Sequence, residues 1–342
     1  MTISPRVSVV MAVYNGARFL REAVDSILDQ TLTDFEFLIV DDASTDETPV
    51  ILKQLAKRDD RIVLIRNERN LGPYPSANRA LDRARGEYIA RLDADDIALS
   101  DRLDRQVCYL DENPEVFVVG GIEIAINSDG VSGRSGRSGL NPLPFRYLAH
   151  FTAPIVHSSA TFQRISADHE PLRYSQDRLT AQDFRMYQQL LDHGEGYRLP
   201  VPVVKLREHD ANISKTHRSQ QAETAVTIST EALRRTCPQE SEANLRALAS
   251  FVIDGDLTGG MRPSEVIHTI LAVEQAFETL HKPSDHDRAI IRGLTVNQIL
   301  KGVAKMRHRS LIGAVGIATR LARRRPMSTS REVLAILSRR RA

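Results

Sequence analysis

The first 126 residues alternate short apolar runs with amphipathic stretches, and this alternation restricts the fold more than any other feature of the chain. Residues 7–14 form a continuous apolar run followed by the turn pair Asn15-Gly16, the pattern of a buried parallel strand. Phe19, Leu20, Ala23, Val24, Ile27 and Leu28 then recur at helical spacing. Residues 35–40 predict a second buried strand, ending in Asp41-Asp42. Ser44 as N-cap with Glu47 three residues on has the form of a capping box and predicts a helix to about Arg58. A strand over 61–65, a helix over 75–85 stopped by Gly86 and a strand over 87–92 follow. A helix from Ser100 to Asp111 and strands over 116–119 and 122–126 close the series. Alternation of this kind argues an α/β fold with a mostly parallel sheet.

After Ile126 the pattern breaks. Residues 128–139 are rich in Gly, Ser and Arg and read as a mobile loop. Residues 145–210 mix short strands and helices. From about Gln220 the chain reads as helical, with Pro263 at a first helical turn and Val266, Ile267, Ile270, Leu271, Val273 and Phe277 on a broad apolar face. With 342 residues there is room for one large domain or one domain plus an appendage. The apolar run at 311–318 is far shorter than the ~20 residues of a spanning helix. The N-terminus leads almost directly into a strand, so no signal peptide is expected. Cys108 and Cys237 are distant from one another and support neither a zinc site nor a disulfide framework. A cytoplasmic setting is the default.

Charge is unevenly placed. Residues 301–342 hold twelve Lys or Arg and one acid, Glu332, and so carry +11 of a chain total of +2, which leaves −9 for residues 1–300. An acidic body and a basic tail suit different partners.

In an open parallel sheet, ligands bind beyond the carboxyl ends of the strands. Three such ends carry polar groups here: Ala12-Val13-Tyr14-Asn15, Asp41-Asp42 and Asp93-Ala94-Asp95-Asp96. Asp93 and Asp95 are spaced i, i+2, which in a strand aims both carboxylates the same way. Such a pair suits Mg²⁺ or Mn²⁺, which take oxygen ligands from one or two carboxylates together with substrate phosphates and water. One acidic pair alone serves equally well as a helix cap, whereas three ends in successive units converge on one edge.

The opening strand 7–15, the segment Ser26-Ile27-Leu28-Asp29-Gln30-Thr31, and the strand 35–40 with Asp41-Asp42-Ala43-Ser44-Thr45-Asp46 resemble family 2 glycosyltransferases of GT-A fold. Asn70-Leu71-Gly72 with Asn78, then residues 84–96 ending in Asp93-Ala94-Asp95-Asp96, continue the resemblance in order. The resemblance covers roughly residues 5–215. It implies a GT-A (Rossmann-like) catalytic domain over 1–215, a helical C-terminal extension over 216–342, and a nucleotide-sugar donor, with a UDP-sugar as first choice.

The resemblance also implies site residues. Ala12, Val13 and Tyr14 hold the nucleobase, Asp42 holds uracil or ribose, and Asn70 and Asn78 complete the nucleoside pocket. Asp93 and Ala94 bind the nucleotide, Asp93 nearer the ribose, and Asp95 is the direct Mn²⁺ or Mg²⁺ ligand. Asp183, in Thr180-Ala181-Gln182-Asp183, stands at the position of the general base, although Gln182 replaces the commoner Glu. His157 is a candidate contact to diphosphate or acceptor, with a hydrogen-bonded core histidine as the other reading. His209 is the candidate third metal ligand and Arg207 a candidate donor to the diphosphate. Loop 128–139 reads either as a lid over the site or as a hairpin tip. The tail, 307–341, reads as a helix on an anionic membrane surface or as a face packed on the body, with nucleic-acid binding disfavoured by the lack of interleaved aromatics.

The implied activity is inverting, metal-dependent transfer of a sugar to a glycan or lipid-linked acceptor in surface polysaccharide or glycolipid assembly, in the cytoplasm or at the inner membrane face. One rival enzyme, a sugar-phosphate nucleotidylyltransferase, resembles proteins with a Gly-rich phosphate loop that residues 11–18 lack, and a dehydrogenase is excluded because no G-x-G-x-x-G follows the first strand. The rival outside catalysis is a silent scaffold that binds nucleotide or membrane.

Overall fold

The structure is a computed structural model. It describes residues 4–135, 138–165, 172–175, 180–209, 218–257 and 261–306, together with Gly316, Ile317, Thr319 and Leu321. By its internal contacts the chain divides into two compact units. One comprises Met1–Pro142 and Pro154–Thr216, the other Leu143–Ala153 and His217–Ala342.

In the first unit the strands β1 (Val7–Val13), β2 (Phe35–Asp41), β3 (Ile62–Arg66) and β4 (Tyr88–Arg91) alternate with the helices α1 (Leu20–Leu28), α2 (Thr48–Arg58) and α3 (Pro73–Leu81). A two-residue β5 (Ile97–Ala98), α4 (Arg102–Glu112) and the 11-residue β6 (Val116–Ile126) follow. Then come β7 (Ser132–Ser135), β8 (Thr161–Gln163), α6 (Gln182–His193) and β9 (Glu195–Arg207), with α5 (Pro142–Leu148) between β7 and β8. The sheet order is β3-β2-β1-β4-β8-β6-β9-β5, with β7 paired to β6. The chain winds outward from β1 through β2 to β3, then returns to the other side of β1 as β4. A topological switch point, where α/β sheets open a binding crevice, therefore lies between the carboxyl ends of β1 and β4.

Side-chain alternation builds both faces. Val7, Val9, Met11 and Val13 of β1 pack in one apolar cluster with Leu20, Val24 and Ile27 of α1, Leu52 and Leu55 of α2, and Leu103, Val107 and Leu110 of α4. Each fully buried aliphatic side chain contributes about 1.5–3 kcal/mol. Tyr88, Ala90 and Leu92 belong to the same cluster, which leaves Arg91 and Asp93 to the opposite face.

Several local expectations are corrected. The sheet is mixed rather than mostly parallel, because β4–β8, β6–β8, β6–β7 and β5–β9 pair antiparallel. Residues 116–126 form one strand rather than two, with register shifts around Gly120 and Ile122. Ser44 does not cap α2. Its hydroxyl accepts from the N–H of Asn15 at 3.0 Å, the N-cap is Glu47 without a side-chain cap bond, and Asp46 accepts from Thr48 N–H at 2.9 Å. α3 ends at Leu81, before Gly86. Gly86 has a different task, since a Cβ there would stand 2.4 Å from the backbone nitrogen of Ser8. The described part of loop 128–139 includes the edge strand β7 of a hairpin with β6.

The second unit is helical. α7 (Arg218–Thr236), α8 (Glu242–Asp254), α9 (Pro263–His281) and α10 (Asp285–Met306) share one apolar core, which includes Leu233, Leu248, Phe251, Ile270, Phe277, Ile299, Ile317 and Leu321. Tyr147 and Phe151, from the segment that interrupts the first unit, belong to the same core. The Tyr147 hydroxyl meets Thr295 Oγ1 at 2.8 Å and its ring meets Phe277 edge-on. Among the described residues no helix is long and apolar enough to cross a membrane. Of the basic tail 307–341, all but the four residues named above lie outside the described residues.

Candidate active site

The turn after β1 is fixed by its neighbour. Asn15 Oδ1 accepts from Thr45 N–H at 2.8 Å, and Gly16 N–H donates to Thr48 Oγ1 at 3.0 Å. Val13 is buried, Ala12 half-buried, and Tyr14 is 51% exposed, so its ring is open to a ligand. Asn15, Ala43 and Ala181 all have positive φ, at 50°, 61° and 53°. For non-glycine residues this conformation costs of order 1–3 kcal/mol each and gathers at functional sites. The three lie after β1, directly after Asp42, and directly before α6.

The acids at the strand ends differ in availability. Asp42 is 3% exposed. Its Oδ1 accepts from Asn67 Nδ2 at 2.7 Å and Leu71 N–H at 2.8 Å, and its Oδ2 accepts from Gly72 N–H at 2.8 Å. It therefore organises loop 67–72, where Gly72 takes φ 89°. Asn70 accepts from the same Gly72 N–H at 3.1 Å. The Asn78 amide clamps the backbone of Tyr174 on both sides, at 2.9 Å each way. The Asn78 amide is thus engaged with backbone on both sides, whereas Asn70 is exposed and only its Oδ1 meets a backbone N–H.

Asp93 and Asp95 lie in the turn beyond β4, not on the strand itself. Arg91 carries the alternation forward: Nη2 donates to Asp93 Oδ1 at 3.1 Å, Nη1 to the Val10 carbonyl at 3.0 Å, and Nε to His157 Nε2 at 3.0 Å. Asp93 keeps 46% of its side-chain surface open. Desolvation pushes its carboxyl above the ordinary value, opposed by Arg91 and reinforced by Asp95. Asp95 Oδ2 lies 2.9 Å from His209 Nε2.

This pair fits a divalent cation. Two ligands about 2.1 Å from one octahedral ion, at right angles, stand roughly 3.0 Å apart. The donors are a carboxylate and an imidazole, both acceptable to Mn²⁺. Among the described residues no cluster of three His, Cys, Asp or Glu side chains has metal-binding geometry, so water and substrate phosphate would supply the remaining ligands.

Arg207 corrects an expectation. Its side chain is 2% exposed and points into the protein, with Nε on the Asp95 carbonyl at 2.9 Å and Nη2 on Glu22 at 2.6 Å. It is therefore not presented to a diphosphate. His157 is likewise held in a network. Arg91 Nε can only donate, so Nε2 of His157 is the acceptor. The Tyr174 hydroxyl approaches that same nitrogen at 2.8 Å, and Tyr187 lies 3.5 Å from Nδ1. Burial, then Arg91 and Arg102, hold the imidazole well below its ordinary pKa, so it is neutral.

Asp183 lies in the first turn of α6, where the helix dipole favours a carboxylate. Tyr187 stands one turn further on. Burial pushes the Asp183 carboxyl up, the backbone N–H of Phe184 pulls it down, and the negative charge of Asp93 pushes it up again. Tyr74, whose ring lies 5.5 Å from that of Tyr174, is raised by burial and then by the charges of Asp183 and Asp93. Asp93, Asp183, Tyr74, Tyr174, Tyr187 and Arg91 thus lie within electrostatic reach of one another. The expectation from sequence omits Arg91 and these three tyrosines. Arg91 had a signal, as a charge inside an otherwise apolar strand two residues before Asp93. Tyr187 had one too, four residues after Asp183. Tyr74 and Tyr174 had none.

Residues 8–170 match the family described as Glycosyl transferase family 2. An uncharacterized glycosyltransferase of Haemophilus influenzae is 32% identical over 236 residues, which cover 66% of this chain and 73% of that protein. The Escherichia coli enzyme WfgD, a UDP-Glc:alpha-D-GlcNAc-diphosphoundecaprenol beta-1,3-glucosyltransferase, is 37% identical over 128 residues, 37% of this chain and 49% of WfgD. Staphylococcus aureus TarS 1–349 in complex with UDP-GlcNAc superposes with TM-score 0.57 at 17% identity, covering 89% of this chain and 91% of TarS 1–349. The mannosyltransferase PcManGT of Pyrobaculum calidifontis, in complex with GDP-Man and Mn²⁺, superposes with TM-score 0.53 at 20% identity, covering 96% and 89%. At these identities the two structures establish the GT-A fold. With the sequence matches and the acids gathered at the β1–β4 switch point, they lead to one assignment: the chain belongs to glycosyltransferase family 2.

Proposed function

We propose that the protein is an inverting, divalent-cation-dependent glycosyltransferase. It moves a sugar from a nucleotide-sugar, with a UDP-sugar as first candidate, to an acceptor hydroxyl of a surface glycan or lipid-linked glycan. The observation that supports this reading is the Asp95–His209 pair, 2.9 Å apart beyond β4, with Asp93 and Asp183 close enough to influence each other's charge. The UDP-GlcNAc of TarS and the lipid-diphosphate acceptor named for WfgD support the donor and acceptor classes. The Mn²⁺ of PcManGT supports the cation.

The chemistry follows from the chain's own groups. Asp95 and His209 would hold the cation, which neutralises charge on the departing diphosphate. Tyr14 and the turn around it offer the base-binding surface. Asp183, ionised, accepts the proton of the acceptor hydroxyl as that oxygen bonds to the anomeric carbon. The bond from that carbon to the phosphate oxygen breaks, and its electron pair leaves with the nucleoside diphosphate. A pKa above the ordinary carboxylate range makes Asp183 the better base at neutral pH.

The test is calorimetric titration of UDP, GDP and dTDP with and without Mn²⁺ into wild-type protein and Asp95→Ala, followed by a donor screen in which the product's anomeric configuration is read by NMR. UDP binding that requires Mn²⁺ and vanishes in Asp95→Ala is the expected result. Retention of the donor's configuration would overturn the inverting mechanism, and failure to bind any nucleotide would favour a silent scaffold.

A further inference from the structure

Arg207 joins four segments of the first unit. Its backbone N–H donates to Asp96 Oδ1 at 2.8 Å and its Nε to the carbonyl of Asp95 at 2.9 Å. Nη1 faces the carbonyls of Asn127 and Ser128 at 3.2 and 3.3 Å. Nη2 pairs with Glu22 of α1 at 2.6 Å. The guanidinium lies over the ring of Phe19 at 4.5 Å, and the His209 imidazole meets the same ring at 5.3 Å. Asp95 is therefore gripped twice from one strand end, by its carbonyl through Arg207 and by its carboxylate through His209. A planar fork with donors on fixed bearings can do this, and a flexible ammonium cannot.

We propose that Arg207, oriented by Glu22, is a positioning residue that sets Asp95 and His209 together as one half of a divalent-cation site. This rests on reading the pair as metal ligands. Glu22 contacts neither ligand in the described hydrogen bonds and is 56% exposed, yet it fixes the end of the guanidinium whose other edge holds Asp95. Partners behind the ligands commonly change metal affinity by about 10–100-fold. Because Glu22 acts one step further back, through Arg207, the lower end of that range applies.

The experiment measures how much Mn²⁺ tightens UDP binding, by calorimetry, in wild type, Glu22→Ala, Glu22→Gln and Arg207→Lys. Arg207 is buried, so its variant is checked for folding by near-ultraviolet circular dichroism. The half-exposed Glu22 variants carry the test if Arg207→Lys does not fold. In Glu22→Ala the Mn²⁺-dependent gain should fall about tenfold, with metal-free UDP binding and the melting temperature nearly unchanged. Glu22→Gln, which keeps an acceptor oxygen in reach of Nη2, should retain more of the gain. A full gain in Glu22→Ala overturns the proposal. Equal losses in Ala and Gln also overturn it, since the effect would then be net charge rather than orientation. Wild-type protein that binds UDP without any Mn²⁺ gain would instead refute the metal-ligand reading of the pair, and the positioning role with it.

Discussion

Asn78 separates two readings of the crevice. The family resemblance makes it a nucleoside ligand, whereas the structure makes it a clamp, with Nδ2 donating to the Tyr174 carbonyl and Oδ1 accepting from the Tyr174 N–H, both at 2.9 Å. Asn78 is 5% exposed and Tyr174 is 2% exposed. Asn78→Ala strands two buried backbone groups at about 1–3 kcal/mol each, so the loss of stability should be roughly 2–5 kcal/mol. For a unit of this size each kcal/mol moves the melting temperature by about 2–4 °C. Asn78→Asp preserves shape but replaces the donor with an oxygen facing the Tyr174 carbonyl, and should lose a comparable amount. Differential scanning calorimetry reads the stability, and titration of UDP well below the transition reads the site. The expected outcome is a large thermal loss with little change in UDP affinity at low temperature. Unchanged melting with a collapse of UDP binding would refute the clamp and restore the ligand role.

Asp183→Asn should lower kcat by ~10²–10⁴-fold while leaving the dissociation constant of UDP unchanged. Because burial and Asp93 hold the Asp183 carboxyl above its ordinary value, and only the ionised form accepts a proton, kcat/KM should fall as pH drops through a value above the usual ~3.9. A wild-type acid limb at or below the usual value would contradict this. In the helical unit, His150 is held at about 4 by burial. Its folded pKa lies below its unfolded one, so its share of stability is present above about 6.5 and is lost as pH falls toward 4. This amounts to about 3 kcal/mol, and His150→Gln should flatten the dependence of the urea midpoint on pH over that window. Gly86→Ala drives a Cβ into the Ser8 backbone and should cost about 1–3 kcal/mol or more, read as a lower urea midpoint.

Of the first four strands, β1, β2 and β4 are buried on both faces, and burial leaves legible, mainly apolar runs such as 35–40, where only Glu36 is polar. The acids at their ends were legible as a set, since one such pair can serve as a helix cap but three successive strand ends carry polar groups toward one edge. What the sequence hid was where each polar group spends its hydrogen bonds. Asp42, Asn78 and Arg207 have the residue types of ligands, and each turns to backbone groups far along the chain, Asn78 to Tyr174 and Arg207 to Asp95. Separations of that length leave no trace in local pattern. The β8 and β9 additions to the sheet were hidden too. β8 has only three residues, and β9 carries Pro200 and Pro202, which local signals mark as a break.

The excursion of Leu143–Ala153 into the helical unit has a consequence for synthesis. The segment leaves the ribosome long before its partners: Tyr147 precedes Thr295 by 148 residues. At about 5–20 residues per second, that gap lasts roughly 7–30 s. During that interval Tyr147, Leu148 and Phe151 belong to a unit whose helices are not yet all made. A chain cut after residue 216 would hold them in that condition permanently, as an apolar strap without its core. Such a fragment should therefore be recovered mainly as aggregate, although its sheet strands and crevice residues are all present.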